Sequence, residues 1–355
     1  MTKEDKIKLA KETKNEINKT YGANSVMSLG DKGIADVPVI STGSIGLDEA
    51  LGINGLPKGR SVEVYGQESS GKTTLAIHIM VEAQKAGGLC AIIDAEQAFD
   101  KDYAEQLGLN TAELDINQPD YGEQGLEILD KLINSGAYDV IVVDSIAALV
   151  PKRELEGDMG DANMGLHAKL MSQALRKLSP SIRRNNVLVI WINQLRQKMV
   201  LMGNPDITTG GLAMKFYASV RLEVARSITN DNSVFGDDKE KVGNLVTVKV
   251  IKNKLAPPFR KAEFNILYGV GIDKLGEVIN YGSKVKVLKK WGSTVTYNNI
   301  KYTIGEFAAL LSDNVEFYNE IVAKIHANQI QNRDVQGLQS TEVDSTEKQE
   351  AVLEV

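Results

Sequence analysis

Cysteine, histidine and long apolar runs are scarce in this chain of 355 residues. The single cysteine, Cys90, lies in the apolar run 89–93, where a buried small side chain is far more common than a redox thiol. One cysteine and three scattered histidines do not make a familiar zinc-binding motif. No run of about eighteen apolar residues occurs and the amino terminus is charged, so we expect neither a membrane span nor a secretory signal. The sequence therefore predicts a cytoplasmic protein with no membrane partner.

Basic residues do not dominate either, because 41 Lys and Arg stand against 47 Asp and Glu, for a formal net charge of −6. This balance argues against a protein that coats nucleic acid through a uniformly basic surface. Any contact with nucleic acid must come from local patches. The lysine-rich first helix and the lysines at 284–290 are candidates, although a lysine run is more often a solvated face. Residues 333–355 are polar and mostly acidic, which predicts a disordered tail.

Short apolar strands alternate with helical stretches from about residue 37 to residue 269. This alternation predicts an α/β fold in which a mostly parallel central sheet is flanked by helices and ligands bind at the carboxyl ends of the strands. The apolar spacing within residues 1–36 predicts an amphipathic helix followed by a linker, and we expect the helix to dock on a partner. Residues 270–332 predict a small α+β domain at the carboxyl terminus, with a hairpin around Asn298 and Asn299.

One eight-residue segment has the spacing of a phosphate-binding P-loop, between a predicted strand at 61–65 and a predicted helix at 73–85. It consists of Gly66, Gln67, Glu68, Ser69, Ser70, Gly71, Lys72 and Thr73, and Thr74 follows. Glycines let the backbone N–H groups point at phosphate oxygens, and the helix amino terminus favours the same negative charge. Lys72 would then reach the β and γ phosphates of a bound nucleotide, and the Thr73 hydroxyl would hold Mg²⁺. The alternative is a glycine-rich turn with an incidental lysine.

Acidic residues follow two other predicted strands. Asp144 ends the apolar run 140–143 and is placed to support Mg²⁺ through water, although a buried strand can also end in an aspartate that only caps it. Glu96 ends the run 89–95 and is placed to accept a proton from the water that attacks the γ phosphate. A solvent-exposed loop glutamate is the alternative for Glu96.

Two long segments, 156–165 and 195–211, follow strand ends and are predicted to lack internal structure. We call them the first and the second long segment. Both combine glycine with methionine and polar groups, which suits gripping a phosphate backbone while apolar tips contact bases. The alternative is a pair of mobile lids over the nucleotide.

A series of motifs resembles the bacterial RecA recombinases, in order along the chain and from the first helix to about residue 330. The motifs are GQESSGKTTL, IDAEQAFD, VIVVDSIAAL, MGLHAKLMSQALRKL, INQLR, GNPDITTGGLAMKFYASVRL and IKNKLAPPF. The resemblance implies a RecA-like ATPase core at 37–269 and an ATP-dependent helical filament on single-stranded DNA. Such a filament pairs its strand with homologous double-stranded DNA and exchanges strands in repair and recombination. It also implies activation of self-cleavage in an SOS repressor of the LexA type.

The resemblance also implies a role for individual residues. Gln194 would sense the γ phosphate, while Lys252 and Lys254 would reach ATP bound to the neighbouring subunit and complete a catalytic set with Lys72 and Glu96. Nucleotide contacts would come from Asp100, Tyr103 and Tyr268 as well as the P-loop. The implied DNA-binding residues are Met164, Lys169, Arg176, Arg196, Lys198, Met199, Val200, Gly210 and Gly211.

Departures from the family's pattern concern single positions. Gln67 stands where most members have proline, Lys169 replaces a common arginine, and the second long segment is one residue short. The competing readings are a P-loop kinase acting on a small molecule, a hexameric ring ATPase of the same core fold, and a non-catalytic DNA-binding protein. The kinase would need an acceptor pocket and an arginine-bearing lid.

Overall fold

The computed structural model describes residues 1–22, 25–26, 37–158, 165–197, 206–227, 233–235 and 240–328. It separates into two compact units, Met1–Pro38 and Val39–Val355. The first unit contains helix α1 (Lys3–Tyr21), whose amino terminus is closed by a capping box between Thr2 and Asp5. No residue of α1 is buried, and the side chains of Ile7, Leu9 and Tyr21 are exposed. The predicted helix is present, and its docking on a partner, which we expect to be another copy of the chain, stays a prediction.

The second unit begins with alternating strands and helices. In chain order these are β1 (Val39–Ile40), α2 (Ile45–Leu51), β2 (Leu56–Pro57), β3 (Ser61–Gly66), α3 (Lys72–Lys85), β4 (Cys90–Asp94), α4 (Lys101–Gln106), β5 (Leu114–Asn117), α5 (Gly122–Ser135), β6 (Val140–Asp144), α6 (Lys152–Glu156), α7 (Leu166–Arg184) and β7 (Leu188–Gln197). Short 3₁₀ turns lie at Thr111–Glu113 and Ile146–Ala148.

Strands dominate the next part of the chain, and a smaller mixed region closes it. The elements are β8 (Asp206–Thr208), α8 (Ala213–Tyr217), β9 (Val220–Arg226), β10 (Ser233–Phe235), β11 (Lys241–Asn253), β12 (Lys261–Leu267), β13 (Gly271–Ile272), α9 (Lys274–Lys284), β14 (Lys289–Trp291), β15 (Thr294–Tyr297), β16 (Ile300–Thr303) and α10 (Ile304–Asp313). A further helix covers 315–328.

An eleven-stranded sheet organises the second unit, with the order β13-β12-β11-β9-β3-β7-β6-β4-β5, and with β10 on β11 and β8 on β7. The pairings from β9 to β5 are parallel, and those of β11, β12 and β13 are antiparallel. Helix α3 packs on one face through an apolar cluster that includes Leu75 and Val64. Helices α5 and α7 cover the other face through a second cluster that includes Leu129 and Leu175. The predicted fold class is confirmed.

One prediction of irregular structure is wrong in part. The second long segment is not structureless throughout, because β7 and β8 form an antiparallel ribbon at its base, with Leu195 opposite Thr208. The β-branched Ile207 and Thr208 favour an extended backbone, and pairing satisfies its polar groups. Proximity between the two ends of this segment was not visible in the sequence.

The carboxyl-terminal residues build a three-stranded antiparallel sheet, β14-β15-β16. It shares an apolar cluster with α9, α10 and the last helix, in which Phe307, Ile321 and Ile325 are fully buried. Asn298 and Asn299 form the two-residue turn between β15 and β16, with φ of 48° and 66°, which is the backbone of a type I′ turn. The predicted hairpin is confirmed, and the domain boundaries remain predictions.

Candidate nucleotide-binding and catalytic site

Strand register brings the predicted catalytic residues to one edge of the sheet. Gly66, at the end of β3, lies opposite Gln194 on β7. Asp94, which lies two residues before Glu96, is opposite Asp144 at the end of β6. Because parallel strands end at the same edge, the P-loop meets these side chains there.

Two glycines of the P-loop are sterically required. A Cβ atom on Gly66 would lie 2.1 Å from the carbonyl oxygen of Val224, and one on Gly71 would lie 2.6 Å from Cδ1 of Ile266. Gly71 also has a φ of +96°, in the left-handed region that side chains disfavour. The loop therefore closes tightly over the start of α3 only with glycine at these positions.

The P-loop lines a cavity of about 450 Å³. Its walls are formed by Ser69, Ser70, Gly71, Lys72, Thr73, Thr74, Tyr103, Arg226, Asn244, Val246, Ile266, Leu267, Tyr268 and Gly269. The Ser70 hydroxyl is buried and has no hydrogen-bond partner among the described residues. Gly71, the residue before α3, makes no side-chain cap, so the first N–H groups of this helix are left for a ligand. These features fit a bound phosphate chain.

Lys72 is the buried cation of this loop, and its Nζ donates to the backbone carbonyl of Gln67 across 2.6 Å. Burial lowers the pKa of the Lys72 ammonium, while three nearby carboxylates, Asp144 first among them, oppose that shift. The Lys72 ammonium has three N–H donors and bonds to one neutral acceptor, the Gln67 carbonyl. It can therefore donate further hydrogen bonds to phosphate oxygens. Gln67 and Glu68 are exposed at the tip of the loop.

Thr73 and Asp144, the two residues that we predicted to hold Mg²⁺, are in contact. The Thr73 hydroxyl donates to Oδ2 of Asp144 across 2.8 Å. Burial raises the pKa of Asp144 to about 6, and the neighbouring carboxylates of Glu96 and Asp94 act in the same direction. Within the described ranges no group of three or more His, Cys, Asp or Glu side chains could hold a metal ion. A pair of oxygen ligands fits Mg²⁺, which binds one or two protein groups beside phosphate and water.

Glu96 and Gln194 are also in contact. Gln194 Nε2 donates to Glu96 Oε1 across 3.0 Å, and the Ser145 hydroxyl donates to the same oxygen. Glu96 is exposed, so water can reach its carboxylate. The carboxylate of Glu96, which can accept a proton, is thus hydrogen-bonded to the amide of Gln194, the residue immediately before the second long segment.

Two tyrosines, Tyr103 and Tyr268, also line the cavity. The Tyr103 hydroxyl lies 3.0 Å from the Thr74 hydroxyl, and the Tyr268 hydroxyl accepts from Asn244 Nδ2 across 3.0 Å. Asp100 caps α4 by accepting from the Tyr103 N–H and does not line the cavity. The rings provide flat apolar walls suited to a nucleobase.

Sequence reasoning missed the residues that β9, β11 and β12 contribute to the cavity, among them Arg226, Asn244 and Ile266. Asn244 is buried in a strand that otherwise reads as apolar alternation, and this is the signal that could have identified it. The other two carry no distinguishing pattern.

Lys252 and Lys254 lie apart from these residues. Lys252 is opposite Arg221, near the beginning of β9, whereas the end of β9 faces the P-loop. Both ammonium groups donate to the carbonyl of Phe216, across 3.2 Å for Lys252 and 3.3 Å for Lys254. The structure thus does not bring them to the P-loop of their own chain.

The predicted DNA-binding residues divide between described and undescribed positions. Lys169 and Arg176 are exposed on α7, two helical turns apart and so on one face. Gly210 and Gly211, with φ of +83° and +74°, follow β8. Arg196 lies on β7, opposite Ile207. Met164, Lys198, Met199 and Val200 lie outside the described residues.

Comparison with known proteins decides the family. The model of the RecA N-terminal domain matches residues 8–273. The chain belongs to the RecA family. A protein named Protein RecA from Cytophaga hutchinsonii is 55% identical over 328 residues, which cover 90% of each chain. Protein RecA from Porphyromonas gingivalis is 53% identical over 325 residues, covering 91% of this chain and 94% of the relative.

A solved structure agrees with this RecA assignment. The crystal structure of the RadB recombinase aligns with a TM-score of 0.50 and 25% identity, covering 66% of this chain and 98% of that one. RecA membership confirms the predicted family, the fold class and the activity class, which is DNA-dependent ATP hydrolysis in recombination and repair. Across the described residues, no helix has the length and apolar character needed to cross a bilayer.

Proposed function

We propose that this chain assembles with ATP and Mg²⁺ into a helical filament on single-stranded DNA, pairs that strand with homologous double-stranded DNA, and promotes strand exchange in the bacterial cytoplasm. One observation carries the proposal. The Gln194 amide bonds to Glu96 beside the P-loop, and the strand that holds Gln194 continues into the β7–β8 ribbon of the second long segment. One strand, β7, therefore carries both a residue beside the nucleotide site and the base of a candidate DNA-binding loop.

The P-loop residues have distinct tasks in this proposal. Lys72 and the first N–H groups of α3 hold the phosphates, the Ser70 hydroxyl supplies a further donor, and Thr73 with Asp144 holds Mg²⁺. ATP supplies a phosphoanhydride bond whose cleavage changes the charge in the cavity. Glu96 accepts a proton from the attacking water, and Gln194 moves with the presence or absence of the γ phosphate. The tyrosine walls at Tyr103 and Tyr268 hold the base, beside Asp100.

Lys252 and Lys254 make ATP hydrolysis dependent on assembly in this proposal. Both lie towards the amino-terminal end of the parallel strands, away from their own P-loop, so we assign them to the ATP site of the adjacent subunit. Helix α1 presents Ile7, Leu9 and Tyr21 without a buried residue, which suits packing against another copy. Hydrolysis in such an arrangement depends on a neighbour.

Contact with DNA is assigned to the two long segments and α7. Lys169 and Arg176 supply charge on one exposed face, and Gly210 and Gly211 let backbone N–H groups approach phosphates. Arg196, Lys198, Met164, Met199 and Val200 complete the proposed set. We include a repressor of the LexA type as a partner of the assembled filament.

Electron microscopy of the protein with single-stranded DNA and a non-hydrolysable ATP analogue tests this proposal. We expect continuous helical filaments that require both ligands. A variant carrying Lys252→Ala and Lys254→Ala is expected to bind the analogue and to fail in assembly. Closed six-membered rings would favour the ring ATPase, and monomers that bind the analogue without DNA would favour a small-molecule kinase.

A further inference from the structure

Glu63 is a charged residue in the middle of the apolar strand β3, three residues before Gly66, and its side chain is 0% exposed. Buried carboxylates are uncommon unless they are paired, because removing the charge from water is costly. Both oxygens of Glu63 have partners. Asn193 Nδ2 donates to Oε1 across 2.9 Å, and Arg221 Nε donates to Oε2 across 2.5 Å.

The partner on β7, Asn193, reaches the second long segment. Its Nδ2 also donates to the carbonyl of Thr209 across 3.0 Å, and its Oδ1 accepts from the hydroxyl of the same threonine. That oxygen further accepts from the backbone N–H of Gln194 across 2.9 Å. Thr209 directly follows β8 and precedes Gly210. One buried amide thus fastens the exit of the loop ribbon to the residue that contacts Glu96.

The partner on β9, Arg221, carries the contacts of Glu63 to the neighbouring strand of the sheet. It lies opposite Glu63 in the sheet, and its guanidinium stands 4.7 Å from the centre of the Tyr65 ring. On the far side Lys252 is opposite Arg221, and the Lys252 ammonium donates to the carbonyl of Lys215 across 2.6 Å. Hydrogen bonds therefore run from the loop ribbon through Asn193 and Glu63 to Arg221, and Arg221 is the strand neighbour of Lys252, the lysine assigned to the adjacent ATP site.

We propose that Glu63 is a positioning residue that fixes the exit of the second long segment, through Asn193, and the side chain of Arg221 to the strand carrying the P-loop. A displacement at the end of β3 is then transmitted to Thr209 and Gly210 as well as to Gln194. The hydrogen bonds move together because breaking any one of them leaves a buried polar group or charge unpaired. This inference rests on the proposed function, because the proposed function is what assigns DNA binding to the second long segment.

Thr209 allows the test to be made without disturbing the buried ion pair. Thr209→Val keeps the shape of the side chain and removes the hydroxyl donated to Asn193, whereas Thr209→Ser keeps the hydroxyl. The measured quantity is the affinity for fluorescent single-stranded DNA, with and without a non-hydrolysable ATP analogue at fixed salt. The ratio of the two affinities is the coupling factor, and it is reciprocal between the two ligands.

We expect Thr209→Val to reduce the coupling factor at least about fivefold, the lower end of typical allosteric couplings, and Thr209→Ser to retain it. Analogue affinity without DNA should match that of the unmodified protein, and the coupling factor, being a ratio, cancels any change in DNA affinity that is common to both conditions. An unchanged coupling factor in Thr209→Val would overturn the proposal. An equal fall in DNA affinity with and without the analogue is one form of that result, because Thr209 would then only shape the loop.

Glu63→Gln provides a second measurement in a double-mutant cycle with Thr209→Val. If Glu63 acts through Asn193 and Thr209, the double variant should lose no more coupling than the more affected single variant, and full additivity would count against it. Should Glu63→Gln not fold, as the unpaired Arg221 charge could cause, the Thr209 pair decides alone. Failure of the proposed function would be distinguishable from failure of this inference, because the unmodified protein itself would then show no effect of the analogue on DNA affinity.

Discussion

The side-chain amide of Gln194 donates a hydrogen bond to Oε1 of Glu96 across 3.0 Å. This contact joins a carboxylate beside the P-loop to the strand that continues into the loop ribbon. A movement of Gln194 therefore changes the surroundings of Glu96 directly, and a movement of the ribbon reaches Gln194 along the backbone of β7. In the proposed function, this one side-chain contact links hydrolysis with DNA binding.

Replacement of Glu96 tests its part in proton transfer. Glu96→Gln keeps the size of the side chain but removes the proton acceptor, so we expect kcat of DNA-stimulated ATP hydrolysis to fall by about 10²–10⁴. Binding of a fluorescent ATP analogue should change little, because the P-loop contacts remain. Hydrolysis at the normal rate in this variant would exclude Glu96 as the acceptor.

Replacement of Arg176 tests the DNA-binding face of α7. Arg176→Gln is expected to lower the slope of log affinity against log salt by about one, because one fewer phosphate is neutralised. The neighbouring Lys177 is a matched control, since its ammonium pairs with Asp130 across 2.8 Å. Lys177→Gln should leave the slope unchanged. Equal changes in the two variants would indicate a general effect of charge.

His78 gives the protein a sensitivity to acid. Its Nε2 accepts from the Ile272 N–H across 2.9 Å, and burial lowers the pKa of His78 to about 4 from its usual 6.5. Between those values the unfolded chain binds the proton and the folded chain does not, so stability decreases as pH falls from 6.5 towards 4. The contribution is about 3 kcal/mol. Urea unfolding of His78→Gln, whose amide can still accept this hydrogen bond, should show a smaller loss over this range, and an identical pH dependence would contradict the assignment.

Glu277 should have the opposite effect. Its Oε1 accepts from the Ser44 hydroxyl and from the Gly46 N–H, Oε2 has no partner among the described residues, and burial raises the pKa of Glu277 to about 7 from 4.5. The folded state holds the proton more tightly, so stability decreases as pH rises from 4.5 to 7 and stays lower above it. Glu277→Gln keeps both accepted bonds without the charge. We expect it to exceed the unmodified protein in free energy of unfolding by about 3 kcal/mol at high pH and to match it at low pH. Equal stability at high pH would show that the buried carboxyl carries no such penalty.

Local patterns were sufficient for the parts of the molecule that depend on neighbouring residues. The apolar strand before Gly66, the loop glycines and the helix after Lys72 define the P-loop within a short stretch, and Asn298-Asn299 defines its hairpin in the same way. Glu63 was not identifiable, because its partners Asn193 and Arg221 lie 130 and 158 residues away in sequence. Asn244 was missed for the same reason, since its place at the cavity arises only from the order of strands in the sheet. The β7–β8 ribbon is local, but the stretch between Gln197 and Asp206 is much longer than the two-residue turn that marks a hairpin in sequence.

The most direct test of the central claim is ATP hydrolysis by the purified protein with and without single-stranded DNA, measured beside Lys72→Ala. We expect strong stimulation by DNA in the unmodified protein and a loss of about 10²-fold or more in the variant, because Lys72 holds the phosphates on which charge develops. Hydrolysis that depends on Lys72 but is indifferent to DNA would contradict the account. The two long segments would then act as lids over the nucleotide, and Gln194 would carry no signal between the sites.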